Sequence, residues 1–300
     1  MAGGTNQDRL SAVSAERSLR LACQAAGLSV DGAVLVRLGE NAIYVLPANG
    51  VAVRIARSVA NLAKVEKELR VARWLADKGF PAVRVAEEIG DQPLRVDGRL
   101  VSFWHAVPTN DASPTVEDLA VLLRRFHSLP SPPIELPVFD PFAAVPARLR
   151  HAVVDGEDLR FLDSLHERLQ DEYERLEFSA PVGLIHGDAH RGNVLILDGA
   201  PVLLDFEVVA IGPREWDLAP TALAVDRFQL DESAYQSFAA TYGRDVTEWA
   251  GYPVLRAIRE LTMTTWLMQN VEEDPAVAAE FALRVASLRE GDLGRVWHAF

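Results

Sequence analysis

The residues best suited to chemistry lie in one stretch, His186-Gly187-Asp188-Ala189-His190-Arg191-Gly192-Asn193, followed by Asp205-Phe206-Glu207. An acid, Asp188, precedes a carboxamide, Asn193, and a second acid, Asp205, comes after a short apolar run. Transfer of a γ-phosphoryl group from a nucleotide needs little covalent chemistry from a protein. It needs a carboxylate to accept a hydroxyl proton and oxygen ligands to hold Mg2+ against the phosphates. Asp188 suits the first task; Asn193 and Asp205 suit the second. An acid and a carboxamide with four residues between them also have the catalytic-loop spacing of protein kinases, where a later Asp-Phe supplies the second metal ligand. Turns favour Asp and Asn for their own reasons, but turn preference accounts for neither Asp205 nor the Trp216-Asp217 pair beyond it.

Three apolar runs, 182–185, 194–197 and 202–204, read as the short strands that position these residues. Together with Gly212-Pro213-Arg214-Glu215-Trp216-Asp217-Leu218-Ala219, the two motifs above resemble the aminoglycoside phosphotransferase family, small-molecule kinases with a protein-kinase-like fold. The strong match covers residues 182–220, and a looser pattern extends over the N-terminal half. The resemblance implies an α+β, bilobal, protein-kinase-like fold. Residues 1–106 would form a small antiparallel-sheet lobe for the nucleotide, and residues 107–300 a larger, mostly helical lobe for catalysis and the acceptor. It implies ATP, with GTP the alternative nucleotide, and Mg2+. His186 and Asp217 then become structural supports of the loop, and Glu207 an acid that reaches Mg2+ through water.

In the N-terminal half, residues 8–26 read as an amphipathic helix ended by Gly27. Runs 33–38, 42–46 and 51–55 read as antiparallel strands, with Asn49-Gly50 as a tight-turn signal that asks for positive φ at both residues. By resemblance, the loop 39–42 with Gly39 covers the nucleotide phosphates. Arg54 stands where the family usually has a phosphate-binding lysine, which its planar fork does not simply replace. Residues 61–78 read as a helix, and by resemblance its Glu68, or alternatively Glu66, would pair with Arg54. Runs 83–89 and 100–106 read as the last strands of this lobe, and 100–109 resembles the family's hinge, where the His105 carbonyl and Val107 amide would bond the adenine edge.

Beyond the hinge, Ser113-Pro114-Thr115 opens a helix with Pro114 in its first turn. The five prolines of 129–141 make a stiff crossing, and 158–176 reads as a helix. After Ala219 the chain reads as helical, with breaks at Gly243 and Gly251. The family binds its acceptor against these C-terminal helices, so Asp226, Glu260, Glu272, Glu273 and Asp274 are candidates for holding ammonium groups.

At 300 residues and 49% hydrophobic content the chain can bury a large core. A net charge of −13 argues against nucleic acid as a partner and admits a small cationic acceptor. No apolar run approaches the roughly 18 residues of a membrane helix and the polar start is unlike a signal peptide, so a cytoplasmic protein without membrane partners is expected. Cys23 is the only cysteine and reads as a buried, inert thiol. The expected activity is phosphorylation of a hydroxyl on a small cationic molecule such as an aminoglycoside antibiotic. The alternatives are a metabolic kinase for an amino sugar or amino alcohol, and a nucleotide-binding module with little transferase activity.

Overall fold

The computed structural model describes residues 10–108 and 112–299. The polar start, the first residues of the expected N-terminal helix and Thr109 of the hinge lie outside them. In chain order the first elements are α1 (Ala12–Ala26), β1 (Val34–Leu38), β2 (Asn41–Leu46), β3 (Val51–Ala56), α2 (Leu62–Asp77), β4 (Leu94–Val96) and β5 (Arg99–His105). Then come α3 (Val116–His127), α4 (Val145–His151), α5 (Gly156–Glu174), β6 (Gly183–Ile185), β7 (Val194–Leu197), β8 (Ala200–Leu203) and β9 (Ala210–Gly212). The last are α6 (Glu215–Phe228), α7 (Glu232–Tyr242), α8 (Tyr252–Leu267) and α9 (Pro275–Glu290).

The chain divides into two compact units. The first comprises Met1–Pro114, Pro132–Leu136 and Gly192–Val209; the second comprises Thr115–Ser131, Pro137–Arg191 and Ala210–Phe300. The boundary expected at residue 106 therefore falls inside the first unit, which also takes in the β7–β8 hairpin. Backbone pairing explains the addition: Val83 N donates to the Leu203 carbonyl and Leu203 N to the Pro81 carbonyl, each at 3.0 Å.

The first unit is built on an antiparallel sheet of order β1-β2-β3-β5-β4. Alternation sets its faces. Val51, Val53 and Ile55 of β3 are buried with Leu19, Ala22 and Cys23 of α1, while Arg54 turns to the opposite side. Each such apolar side chain contributes about 1.5–3 kcal/mol when fully buried. Burial also pushes the Cys23 thiol up to about 11, which keeps it protonated and unreactive.

Two local expectations change here. The β2–β3 turn is a 3-10 turn, Pro47–Asn49, with only Gly50 in the left-handed region (φ 64°). The segment 83–89 makes only an isolated bridge, Val85 to Trp104, and the fourth strand is instead Leu94–Val96. Residues 82–86 divide their backbone bonds between Leu203 and β5, which leaves no continuous ladder.

In the second unit α8 packs against α4, α5, α6 and α9, and α3 against α7. Helix α3 begins at Val116 rather than in the Pro114 turn, because Thr115 caps it. Thr115 Oγ1 accepts from Asp118 N (3.1 Å) and Thr115 N donates to Asp118 Oδ2 (2.9 Å). This reciprocal arrangement satisfies helix-terminal donors. Thr115→Ala is expected to lower stability by about 1 kcal/mol, read as a shift in the urea midpoint at unchanged slope. No helix among the described residues is long and apolar enough to cross a membrane.

Candidate functional site

In the first unit the β7–β8 hairpin decides the geometry. Val194 pairs with Leu203, and Leu204 N donates to the Asn193 carbonyl at 3.1 Å, so Asn193 and Asp205 emerge at the same end of the hairpin. Asn193 is buried, and Asp205 has φ 65°, a left-handed conformation uncommon for a residue with a side chain. Such local strain persists where surrounding structure enforces it, often at functional sites. A carboxamide and a carboxylate are hard oxygen donors of the kind Mg2+ takes, so this pair fits a divalent cation. Among the described residues no group of three or more His, Cys, Asp or Glu side chains could hold a metal ion. A cation at Asn193 and Asp205 would therefore complete its shell with phosphate and water oxygens.

Beside this pair, Arg54 of β3 gathers three acids. Its guanidinium bonds Glu68 of α2 through Nη1 and Glu207 through Nη2 (2.6 Å), and Nη1 lies 3.7 Å from Asp205. Glu68 is buried, whereas Glu66 is exposed, so helix phase selects the former as the partner. Glu207 also faces Lys64 at 3.5 Å. Burial, with the charges of Asp205 and Glu207 adding to it and Arg54 opposing, pushes the Glu68 carboxyl up to about 7. Asn41 joins the cluster: with its carboxamide oxygen turned toward the guanidinium it accepts from Nη2 (2.8 Å) and Nε (3.2 Å).

The sequence reading placed Asn41 in a phosphate loop. It belongs instead to β2, one register step diagonal to Arg54 and on the same sheet face. The β1–β2 turn is thereby reduced to Gly39 and Glu40, and a Cβ at Gly39 would meet open space. A lysine at position 54 has a single nitrogen in place of the two that Arg54 directs separately at Glu68 and Glu207. Arg54→Lys is expected to cost about 1 kcal/mol, measured by urea denaturation of the nucleotide-free protein. At the hinge, His105 N donates to the Arg84 carbonyl (2.8 Å) and Ala106 N to the Gly50 carbonyl (2.9 Å). The imidazole of His105 is exposed, 3.7 Å from Glu88.

In the second unit Asp217 is wholly buried at the start of α6 and holds the backbone that precedes Asp188. Its Oδ2 accepts from His186 N (2.6 Å) and from His127 Nε2 (2.9 Å), and its Oδ1 accepts from Gly187 N (2.8 Å). With Nε2 protonated toward this carboxylate, His127 Nδ1 accepts the Tyr242 hydroxyl at 2.8 Å. Trp216 Nε1 donates to the Gly187 carbonyl (2.8 Å), and Gly187 sits at φ 84°, a turn that suits glycine. His186 is fully buried among these groups.

Asp188 itself is partly open, with 43% of its side chain exposed. His190 Nε2 lies 3.6 Å from one oxygen and Arg259 Nη2 3.4 Å from the other. Burial pushes its pKa up, but the proximity of His190, Arg259 and His186 outweighs this and holds the carboxyl below its usual range. His127, Tyr242 and Arg259 join the site without any signal in the sequence. His127 and Tyr242 stand 115 positions apart, and no local pattern relates them.

The acids proposed to hold the acceptor meet different fates. Glu260 is buried and bonded to Arg227 (2.7 Å), with Arg256 at 3.8 Å, so it supports the core and does not present itself to a ligand. Asp226 is paired with Arg256 at 3.1 Å. Asp274 caps α9 by accepting from Ala276 N. Glu272 and Glu273 are exposed in the turn after α8.

A small antiparallel sheet carrying a buried Arg–Glu pair, with an Asp loop and an Asn/Asp hairpin downstream, defines a protein-kinase-like phosphotransferase. The phosphotransferase enzyme family model matches residues 37–261, and the chain belongs to that family. Among solved structures it is similar to the amicoumacin kinase hAmiN in complex with AMP-PNP, Ca2+ and Ami (TM-score 0.71, 14% identity, 92% of this chain and 93% of that one). It is also similar to a choline/ethanolamine kinase family protein from Mesorhizobium loti (TM-score 0.61, 16% identity, 92% and 95%). A third similar structure is APH(2")-IIia in complex with GDP and kanamycin (TM-score 0.63, 15% identity, 92% and 99%). No curated protein matches the sequence.

Proposed function

We propose that this chain is a cytoplasmic, ATP- and Mg2+-dependent phosphotransferase that moves the γ-phosphoryl group onto a hydroxyl of a small molecule. The observation that carries this reading is the emergence of Asn193 and Asp205 at one end of the β7–β8 hairpin, on the chain that has just left Asp188. Asp188 orients the acceptor hydroxyl and takes its proton. Asn193 and Asp205 would hold Mg2+, which when bound neutralises charge on the phosphate oxygens. Arg54, fixed by Glu68, Glu207 and Asn41, would face the phosphates, with Gly39 in the turn above them. The His105 carbonyl and Val107 amide would read the adenine edge. The nucleotide and Ca2+ in the hAmiN complex support nucleotide and divalent-metal use.

For the acceptor, family resemblance and net acidity favour an aminoglycoside. The pairing of Asp226 and Glu260 with arginines favours the second reading, a kinase for a less cationic metabolite. The test is acceptor-dependent ADP release with Mg·ATP across aminoglycosides, amino sugars, amino alcohols and hydroxy acids, with Asp188→Asn as control. Turnover confined to one class names the acceptor type. Nucleotide binding with no turnover on any acceptor would instead support a binding module without transferase activity.

A further inference from the structure

Arg259 of α8 is the cation nearest Asp188 in the second unit whose bonding is incomplete. Its side chain is 12% exposed, with the guanidinium 5.0 Å above the Trp216 ring. Trp216 is itself pinned by its bond to the Gly187 carbonyl, so the position of this charge is set by the same backbone that positions Asp188. Yet its contact with Asp188 is 3.4 Å, well beyond the roughly 2.8 Å of a strong charge-assisted hydrogen bond. Its Nε is buried with no hydrogen-bond partner among the described residues.

Two other arginines show what a purely structural one looks like in this fold. Arg227 stacks on Trp297 and bonds Glu260 (2.7 Å) and the carbonyls of Asp292 (2.6 Å) and Arg295 (3.1 Å). Arg284 stacks on the same ring and bonds Glu280 (2.7 Å) and the carbonyls of Met263 and His298. Arg259 has the stacking but only one long bond, to Asp188. Two of the acids of the C-terminal helices, Asp226 and Glu260, are each held by an arginine, which leaves Asp188 as the carboxylate next to Arg259.

We infer that Arg259 determines acceptor specificity by binding an oxyanion of the acceptor, a carboxylate or phosphate group, beside the hydroxyl handled by Asp188. A guanidinium fork matches either group, and the same fixed charge rejects polycations. This rests on the phosphotransferase reading above.

The test uses the full chain saturated with Mg·AMP-PNP and measures binding calorimetrically for one matched series: glycerol, glycerate, glycerol 3-phosphate and 3-amino-1,2-propanediol, with kanamycin added. The wild type is expected to bind glycerate or glycerol 3-phosphate at least about tenfold more tightly than the amine, the scale of one charged hydrogen bond. The tighter of the two identifies the oxyanion. In Arg259→Met, which keeps the stem over Trp216, the ratio should fall to about one, and Arg259→Lys should restore part of it. Preference for the amine or kanamycin, absence of discrimination, or an unchanged ratio in a folded Arg259→Met protein would overturn the inference. Failure of the underlying reading is separate: AMP-PNP would not bind, or Asp188→Asn would release ADP at the wild-type rate.

Discussion

Replacing Asp188 with Asn lowers kcat about 10³-fold, within the range for loss of a positioned acid–base group, while nucleotide KM changes less than about twofold. The carboxamide keeps the size of the side chain but neither accepts a proton nor carries charge. The Asp188 side chain is partly open, with His190 at 3.6 Å and Arg259 at 3.4 Å. Loss of the charge removes a partner from His190 and Arg259 at a partly exposed site, so stability should fall by no more than about 1 kcal/mol. Because neighbouring cations hold the carboxyl below its usual range, Asp188 stays ionised as pH falls toward ordinary carboxylate values. Its titration should then put no acid limb in kcat/KM of the wild type near about pH 4 to 5. Steady-state kinetics across pH check both statements, and an Asp188→Asn enzyme turning over at the wild-type rate would remove this residue from the mechanism.

Asp217→Asn acts through the backbone and costs both stability and turnover. The native carboxylate accepts three hydrogen bonds, from His186 N, Gly187 N and His127 Nε2. A carboxamide has one accepting oxygen, so its NH2 group must face at least one of these donors in a fully buried site. Leaving buried donors opposed in this way is expected to cost about 3 kcal/mol, measured as a fall in the urea midpoint. Turnover should fall as well in the folded protein, because the amide left without an acceptor, that of His186 or that of Gly187, belongs to a residue just before Asp188. The pair of variants separates roles: Asp188→Asn loses chemistry with little loss of stability, whereas Asp217→Asn loses both.

Much of the first unit was legible because its signals are local. Alternation in β3 put Arg54 opposite the core, and the apolar stripe placed α2, while the choice of Glu68 over Glu66 rested on resemblance until helix phase in the structure decided it. Local signals misled where tertiary pairing competed. Residues 83–89 have strand-like composition but share their backbone bonds with Leu203 and β5, and the ladder forms at Leu94–Val96 instead. Asn49-Gly50 promised a two-residue turn, yet Pro47 begins a 3-10 turn that leaves only Gly50 at positive φ. Thr115 and Asp118 form a capping box that a closer reading of spacing would have found.

By itself the sequence determined the chemistry on offer: Asp188, Asn193 and Asp205 lie within 18 residues of one another, and their functional groups and spacing are properties of the chain. Only the tertiary structure decided what surrounds them. Arg259 and Glu260 are consecutive on α8, and sequence alone favoured the acid as the acceptor contact. Successive helical side chains point about 100° apart, so neighbouring residues meet different partners. Packing of α8 against α6 turns Glu260 toward Arg227 in the core and sets Arg259 over Trp216 beside Asp188. Likewise His127, Tyr242 and Asp217 form one buried chain of hydrogen bonds only because α3, α6 and α7 bring distant positions together. Spacing carries information over one or two turns; contacts across the fold follow from how amphipathic faces pack.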